Sequence, residues 1–303
     1  MKKICVLLAA YNGEKYLKEQ LDSILSQVDV VIDVYISLDL STDSSLDIIN
    51  EYEKNHDNIY ILEYGLRYGS AGQNFFRLLT DVDFSDYCYV SFADQDDIWL
   101  PNKLHHAVEM INLHNCDAVS SNVLAFWEDG REKLIKKDYP QVDYDYVFES
   151  SGPGCSFLLT RKLSLDIKKS LLDKKDEINK LWLHDWYCYS FSRGNNFKWY
   201  IDNKALMLYR QHSSNEVGAN NGLSSIIRRL KVILSGDAFN KVLVQANFIG
   251  LNNKPIKLLK ENTSFSLFKL SMMANKCRRS SSEKFAFFII IIILAVKRLF
   301  NVK

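Results

Sequence analysis

The chain has few of the residues that break or staple structure. Its 303 residues include four prolines, twelve glycines and six cysteines. That is too little proline and glycine for a collagen-like or low-complexity chain. Cys5, Cys88, Cys116, Cys155, Cys188 and Cys277 are scattered without a C-x-x-C pair, which leaves out the common zinc and redox spacings. Several lie in apolar runs, where a free thiol behaves as a small hydrophobe, so the compartment reads as reducing cytosol. No secretory leader is expected, because Met1-Lys2-Lys3 passes straight into a short apolar run without a cleavage site. Nor is there a run of 20 apolar residues that would cross a bilayer as a helix; residues 285–296 (FAFFIIIIILAV) number twelve. What remains is ordinary globular composition, 47% apolar and 25% charged. The length suits one α/β domain with an appended segment. A core of that size folds without a metal or disulfide, so a metal here would serve chemistry.

The net charge of +1 conceals an asymmetry. Residues 221–303 carry 15 Lys and Arg against 3 Asp and Glu, leaving 23 against 34 in residues 1–220. An acidic first part suits metal chelation. A basic tail suits a phosphate-rich partner such as an anionic membrane, or is simply a solvated helical surface. Nucleic acid is not expected, because the Lys/Arg clusters lack interleaved aromatics and no recognition module is present.

The first part alternates between strand and helix patterns. Residues 4–9 (ICVLLA), 34–38, 59–62 and 87–93 read as strands. Leu17, Leu21, Ile24, Leu25 and Val28 recur at helical spacing, as do Leu46, Ile49 and Tyr52, and Leu104, Val108 and Ile111. Asn12 is placed to cap the first helix, Ser41, Thr42 or Asp43 the second, and Pro101 fits a first helical turn. Residues 118–126 and 198–208 each read as a further strand, and 181–191 as a helix. Buried strands separated by helices predict a mostly parallel sheet flanked by helices. Such sheets bind ligands at the carboxyl ends of their strands, where Tyr11-Asn12, Asp39 and the acidic run 94–97 all fall.

Asp94-Gln95-Asp96-Asp97 carries the most chemistry. Three carboxylates in four residues repel one another at the end of a buried strand and call for a cation. Mg²⁺ or Mn²⁺ takes one or two carboxylates and fills its other positions with water and phosphate oxygens. An acidic turn before the Pro101 helix is the alternative. Asp185, flanked by His184, Trp186 and Tyr187, has the setting of a general base facing sugar, or else is a helix-capping residue. His212 stands after a strand beside Arg210 and is either functional or structural. Residues 152–156 (GPGCS) lack the G-K-[ST] ending of a phosphate loop and read as a turn.

The ordered set of residues 8–13 (LAAYNG), 41–43 (STD), 94–101 (DQDDIWLP) and 184–186 (HDW) resembles family 2 of the inverting glycosyltransferases. The acidic stretch, Gly154-Cys155 and residues 209–220 (YRQHSSNEVGAN) are similar to its rhamnosyltransferase-like branch, and the resemblance covers roughly residues 3–220. It implies the A-type glycosyltransferase fold, with residues 1–115 as the nucleotide-sugar and metal-binding half, 116–220 as the acceptor half, and 221–303 as a basic helical extension. Ala9, Ala10, Tyr11, Asp39, Asn74, Asp94 and Gln95 would bind a nucleotide-diphosphate sugar. Asp96, Asp94 and His212 would hold Mn²⁺ or Mg²⁺, Asp185 would be the catalytic base, and Trp99, Gly154, His184 and Trp186 would face the acceptor. One departure stands out. The family pattern Asp-Asp-Gly-Ser-Thr-Asp is here Leu38-Asp39-Leu40-Ser41-Thr42-Asp43, so Leu38 replaces an acid associated with reading the base and Leu40 replaces a turn glycine.

The activity implied is transfer of a sugar, rhamnose for preference, to a glycan or polyprenyl-diphosphate-linked acceptor in surface polysaccharide synthesis. A catalytically inactive nucleotide-sugar or lipid-binding scaffold is the alternative. Residues 285–296, bracketed by Lys284 and by Lys297-Arg298, predict an anchor lying in the membrane surface at its inner, cytoplasmic face. Packing on the catalytic domain or on a second copy of the chain, as a homo-oligomer, is the other possibility for this run.

Overall fold

The computed structural model describes residues 1–212 and 237–300. Residues 213–220 of the YRQHSSNEVGAN stretch, and the start of the basic tail, lie outside the described residues. The chain divides into two compact units, Met1–Asp138 with Ser151–Ala219, and Tyr139–Ser150 with Asn220–Lys303. The expected division at 220 is therefore incomplete. Twelve residues from the middle of the supposed acceptor half belong to the second unit, and no pattern in their composition announces it.

The first unit begins β1 (Lys2–Ala10), α1 (Leu17–Leu25), β2 (Val30–Leu38), α2 (Ser45–Asn55), β3 (Ile59–Ile61), α3 (Ala71–Asp81) and β4 (Tyr89–Ala93). It continues with β5 (Ile98–Trp99), α4 (Lys103–His114), β6 (Ala118–Ser121), β7 (Val123–Trp127) and β8 (Glu132–Ile135). After α5 (Asp145–Phe148), which belongs to the second unit, come β9 (Leu158–Thr160), α6 (Arg161–Leu172), α7 (His184–Gly194), β10 (Trp199–Asp202) and β11 (Met207–Gln211).

Seven strands form one sheet in the order β10-β6-β9-β4-β1-β2-β3, and four form a smaller one, β5-β11-β7-β8. β1 lies parallel between β2 and β4, with Ala10 opposite Leu38 and Leu8 opposite Ala93. Their carboxyl ends are therefore level, and the turns that follow meet along one edge. Only β9 runs antiparallel to its neighbours in the larger sheet. Ile4, Val6 and Leu8 on one face of β1 and Cys5 and Leu7 on the other are fully buried, because helices cover both faces.

Two expected single strands are each broken in two. Residues 118–126 change sheets at Asn122, and 198–208 change sheets between Asp202 and Met207. Asn122 makes the first change possible. It is buried, its Nδ2 donates to Asp138 Oδ1 and to the Asn203 carbonyl, and its Oδ1 accepts from the backbone of Lys137 and Asp138. These bonds satisfy backbone groups that leave the sheet ladder. Continuous apolar runs hide such a change, since both halves are buried.

The predicted caps also differ. α1 starts at Leu17 without a side-chain cap, and Asn12, at φ 45°, instead accepts from the Thr42 backbone. Asp43 accepts from Ser45 N at the start of α2 and from Glu14 N of the neighbouring turn.

In the second unit the helix Ser281–Phe300 buries Phe287, Ile291, Leu294 and Ala295 and leaves Phe285, Ile289, Ile293 and Val296 exposed. The run 285–296 thus has a packed face and a bare face. Among the described residues no helix is long and apolar enough to cross a membrane. At the start of this helix Arg279, nearly buried, lies 3.7 Å from the buried Asp145 and 3.4 Å from Glu149, and its NH2 donates to the Ser150 carbonyl. This network fastens Tyr139–Ser150 to the C-terminal helices. Replacing one member of a buried ion pair leaves its partners uncompensated, at a cost of about 3–5 kcal/mol. Arg279→Leu should lose about that much stability in urea unfolding, while the exposed Lys257→Ala changes it by less than about 0.5 kcal/mol.

Candidate active site

The turns at the ends of β1, β2 and β4 are tied into one edge by side chain to backbone hydrogen bonds. The Tyr11 amide donates to Gln95 Oε1 at 2.8 Å, and Gln95 Nε2 returns a bond to the Tyr11 carbonyl at 2.9 Å. A Cβ on Gly13 would displace the end of the Gln95 side chain, which makes the two bonds to Tyr11. Asn12 N donates to Ser41 Oγ and Gly13 N to Ser45 Oγ, joining the first turn to the second. Ala9 and Ala10 are buried at the strand end, and the Tyr11 side chain is exposed.

Asn74, expected among the donor-binding residues, is buried behind this edge. Its Nδ2 donates to the Ala10 and Ser37 carbonyls and its Oδ1 accepts from Ser37 Oγ. Its side chain is committed to holding two strand ends level. Leu38, in place of the family's acid, is buried in the apolar core.

The acidic turn divides into an outer and an inner part. Asp96 Oδ2 lies 2.6 Å from His212 Nε2, and the His212 ring stacks on Tyr16 with centroids 5.4 Å apart. Residues 116 positions apart thus bring a carboxylate oxygen and an imidazole nitrogen to one point. Asp97 is fully buried. It accepts from the Arg210 amide at 3.1 Å and is hydrogen-bonded to Cys155, and among the described residues Asp94, Asp97 and Cys155 offer ligand atoms within 4.8 Å of one another. Burial, and then the negative charges of Asp96 and Asp94, push the Asp97 carboxyl well above its usual range. Burial likewise raises the Cys155 thiol and lowers Lys103 to about 7, with its ammonium 3.6 Å over the Trp99 ring. A carboxylate-rich site with one imidazole has the chemistry of a hard or borderline divalent cation.

Arg210 secures the turn from behind. Its Nε donates to the Asp96 carbonyl at 2.8 Å, its NH2 to Glu19, and its guanidinium lies between the rings of Tyr16 and Phe126 at 4.4 and 4.6 Å. The sequence places Arg210 beside His212 but gives no sign of this clamp.

The expected acceptor-side residues separate. Trp99 is 1% exposed and lies on the β5–β11 ladder, and Trp186 is buried on the inner face of α7, so neither indole is open to an acceptor. Aromatic residues beside polar motifs are packing residues here. His184 is also buried, between Phe75 at 3.8 Å and Phe92 at 5.1 Å, and neither ring nitrogen has a hydrogen-bond partner among the described residues. Gly154 is needed next to it, because a Cβ there would overlap the imidazole. Asp185 is half-buried in the first turn of α7, with Oδ1 accepting from Trp186 N at 2.6 Å. Contact between His184 and Gly154, and between Cys155 and Asp97, joins the Asp185 helix to the acidic turn. Trp182, three residues before Asp185, is the exposed indole in this segment; a sequence pattern would have had to separate it from the buried tryptophans.

A mostly parallel sheet with level strand ends tied into one edge, an acidic turn with a histidine and a helix-borne carboxylate is the arrangement that the resemblance to family 2 glycosyltransferases implies. The chain belongs to glycosyl transferase family 2, whose model matches residues 5–201. It is 40% identical over 227 residues, 75% of this chain and 78% of the relative, to the dTDP-rhamnosyl transferase RfbG of Shigella flexneri. It is 24% identical over 182 residues, 59% of this chain and 68% of the relative, to an Escherichia coli enzyme, the UDP-Glc:alpha-D-GlcNAc-diphosphoundecaprenol beta-1,3-glucosyltransferase WfgD. Among solved structures the fold is similar to Staphylococcus aureus TarS 1–349, with a TM-score of 0.56 at 17% identity over 97% of this chain and 81% of that one. It is also similar to the mannosyltransferase PcManGT of Pyrobaculum calidifontis, solved with GDP-Man and Mn²⁺, with a TM-score of 0.50 at 15% identity over 99% and 88% of the two chains. The protein is thus a glycosyltransferase using a nucleotide-sugar donor.

His184 gives this site a pH signature. Burial lowers its pKa from 6.5 to about 3. The folded state therefore holds it neutral, while the unfolded chain takes up a proton below about 6.5. The stability this group contributes is complete above that pH and is eroded as pH falls toward about 3. Between pH 7 and pH 5 the wild type should lose about 2 kcal/mol more than His184→Gln in urea unfolding.

Proposed function

We propose that the protein transfers L-rhamnose from dTDP-rhamnose to a lipid-linked glycan, by a single in-line displacement with inversion. The 40% identity to a dTDP-rhamnosyl transferase over three quarters of the chain carries the donor assignment. The lipid-linked acceptor is supported by the weaker likeness to an enzyme whose named substrate is a diphosphoundecaprenol glycan.

Asp185 is the base in this reading. Its carboxylate takes the proton of the acceptor hydroxyl as that oxygen bonds to the anomeric carbon, and the bond from that carbon to the diphosphate breaks with its electron pair on the departing dTDP. The tied turns of β1 and β2 seat the base and ribose through Tyr11 and Asp39, Ala9 and Ala10 form the floor, and Asp94 with Gln95 borders the sugar. Asp96, Asp94 and His212 would hold Mn²⁺ or Mg²⁺, which would neutralise charge growing on the leaving diphosphate. Arg210 keeps these ligands from spreading under their own repulsion. Gly154 lets His184 close the floor behind Asp185, and Trp182 offers an apolar face to the acceptor sugar.

Two substitutions test the assignment of roles. Asp185→Asn should leave dTDP affinity within about threefold and lower turnover by about 10²–10⁴-fold. Asp96→Ala should abolish activity, and excess EDTA should do the same to the wild type until Mn²⁺ or Mg²⁺ is restored. Release of dTDP from dTDP-rhamnose at saturating donor is the measurement, and full turnover in EDTA would remove the metal from the mechanism.

The second unit is read as a membrane-surface anchor. The bare face of Ser281–Phe300 (Phe285, Ile289, Ile293, Val296) is joined by exposed Phe265, Phe268 and Met272 on and just beyond the helix Ser264–Ser271, in a segment rich in Lys and Arg. Phe287, which the sequence pattern offers equally, packs inward and takes no part. The full chain should float with anionic liposomes, more weakly as salt rises. Ile289→Ser with Ile293→Ser should reduce flotation severalfold without altering dTDP binding. A wild-type chain that stays unbound at low salt would return these faces to protein packing.

A further inference from the structure

We propose that Leu40 and Leu66 form an apolar wall that contacts the 5-methyl group of thymine and selects thymine over uracil in the nucleotide. The inference rests on the dTDP-sugar reading and assigns the base discrimination within it.

Asp39 is the residue expected to read the base, yet its carboxylate is largely occupied by backbone. Oδ1 accepts from Leu40 N at 2.9 Å and Tyr68 N at 2.7 Å, and Oδ2 accepts from Gly69 N at 2.9 Å. What acceptor capacity remains suits the imide N–H of a pyrimidine. Uracil and thymine share that N–H and both carbonyls, and they differ only by the methyl at C5. No hydrogen bond from Asp39 separates them; an apolar contact does.

Such a surface stands on the same edge. Leu40 follows Asp39 directly, and its amide also donates to the Leu66 carbonyl at 3.2 Å, holding the turn after β2 against the loop after β3. Leu40 is 45% exposed, Leu66 64% and Tyr11 44%, at the ends of the adjacent strands β2, β3 and β1. These leucines are carried on fixed backbone. Arg77 donates to the Glu63 carbonyl and to Ser37 Oγ, and Tyr64 Oη accepts from Ser41 N. An ordered loop presenting bare leucine beside a nucleotide edge loses little entropy on binding. Leu40 also stands where the family pattern has glycine, a residue with no side chain to offer a methyl group.

The test is competitive calorimetry of dTDP and dUDP, which differ only by the C5 methyl, on the full chain with Mg²⁺, for the wild type, for Leu40→Ala and for Leu40→Ser with Leu66→Ser. Both leucines are exposed, so the fold tolerates the changes. One added methyl in an apolar contact is worth on the order of 10-fold. The wild type should bind dTDP about 10-fold tighter than dUDP. The double variant should bring that ratio below about 3 through loss of dTDP affinity, with dUDP changed less than about 2-fold and Leu40→Ala between the two. A preference that survives the double substitution, or that is absent from the wild type, overturns the wall. If the wild type still turns over a nucleotide sugar, the transferase reading stands without it. Failure of both nucleotides to bind would end the donor reading as well.

Discussion

Electrostatic repulsion within the acidic turn is the constraint around which the catalytic unit is organised. Asp94, Asp96 and Asp97 follow a fully buried strand, and two like charges at about 4 Å cost several kcal/mol when water is scarce. The chain answers with Arg210, whose amide serves Asp97, whose Nε serves the Asp96 carbonyl and whose charge is steadied by Glu19 and two aromatic faces. Burial, and then the charges of Asp96 and Asp94, raise the Asp97 carboxyl well above its usual range. Asp96 is left directed toward His212. Clamp and histidine both come from β11 and the residue after it, so the small four-stranded sheet exists, in functional terms, to bring that strand under the turn.

The same economy explains the floor of the cleft. His184 buries an imidazole with no hydrogen bond, a costly arrangement unless its aromatic neighbours and a glycine are shaped around it. Phe75, Phe92 and Gly154 provide that shape. The result is a rigid step between the 154–156 turn, which touches Asp97 through Cys155, and the first turn of α7, which carries Asp185. Preorganisation of this kind fixes where the Asp185 carboxylate stands before any ligand arrives.

Much of this was legible in the sequence because strand ends are chemically marked. A buried strand stops where polar residues begin, so Tyr11, Asp39 and Asp94 announce themselves, and the order of motifs placed Asp96 and His212 together across 116 positions. What was not legible has a common cause: burial on both sides erases periodicity. Residues 118–126 look like one strand because the sheet change at Asn122 interrupts no apolar pattern. Trp99 and Trp186 look like sugar platforms because an indole beside a carboxylate suits either packing or binding. Asn74 looks like a donor contact because its polarity is visible and its partners, two backbone carbonyls and the Ser37 hydroxyl, are not. The passage of Tyr139–Ser150 into the second unit depends on Asp145 and Glu149 meeting Arg278 and Arg279 some 130 residues later, a pairing no local window contains.

The apolar run near the C-terminus shows how an undirected sequence pattern acquires two distinct sides once the helix is drawn. Twelve consecutive apolar residues cover every side of a helix, about 100° per residue, so the run itself has no direction. Direction comes from the partners. The helix Ser264–Ser271 and the turn carrying Phe148 take the side with Phe287, Ile291 and Leu294. That leaves a strip repeating at four, four and three residues, Phe285, Ile289, Ile293 and Val296, with nothing of the described unit over it. Packing within the unit therefore occupies one side of this segment and leaves the other bare. Using one side to build the unit is what holds the other side straight and outward, and a loose apolar tail of the same composition would collapse on itself instead.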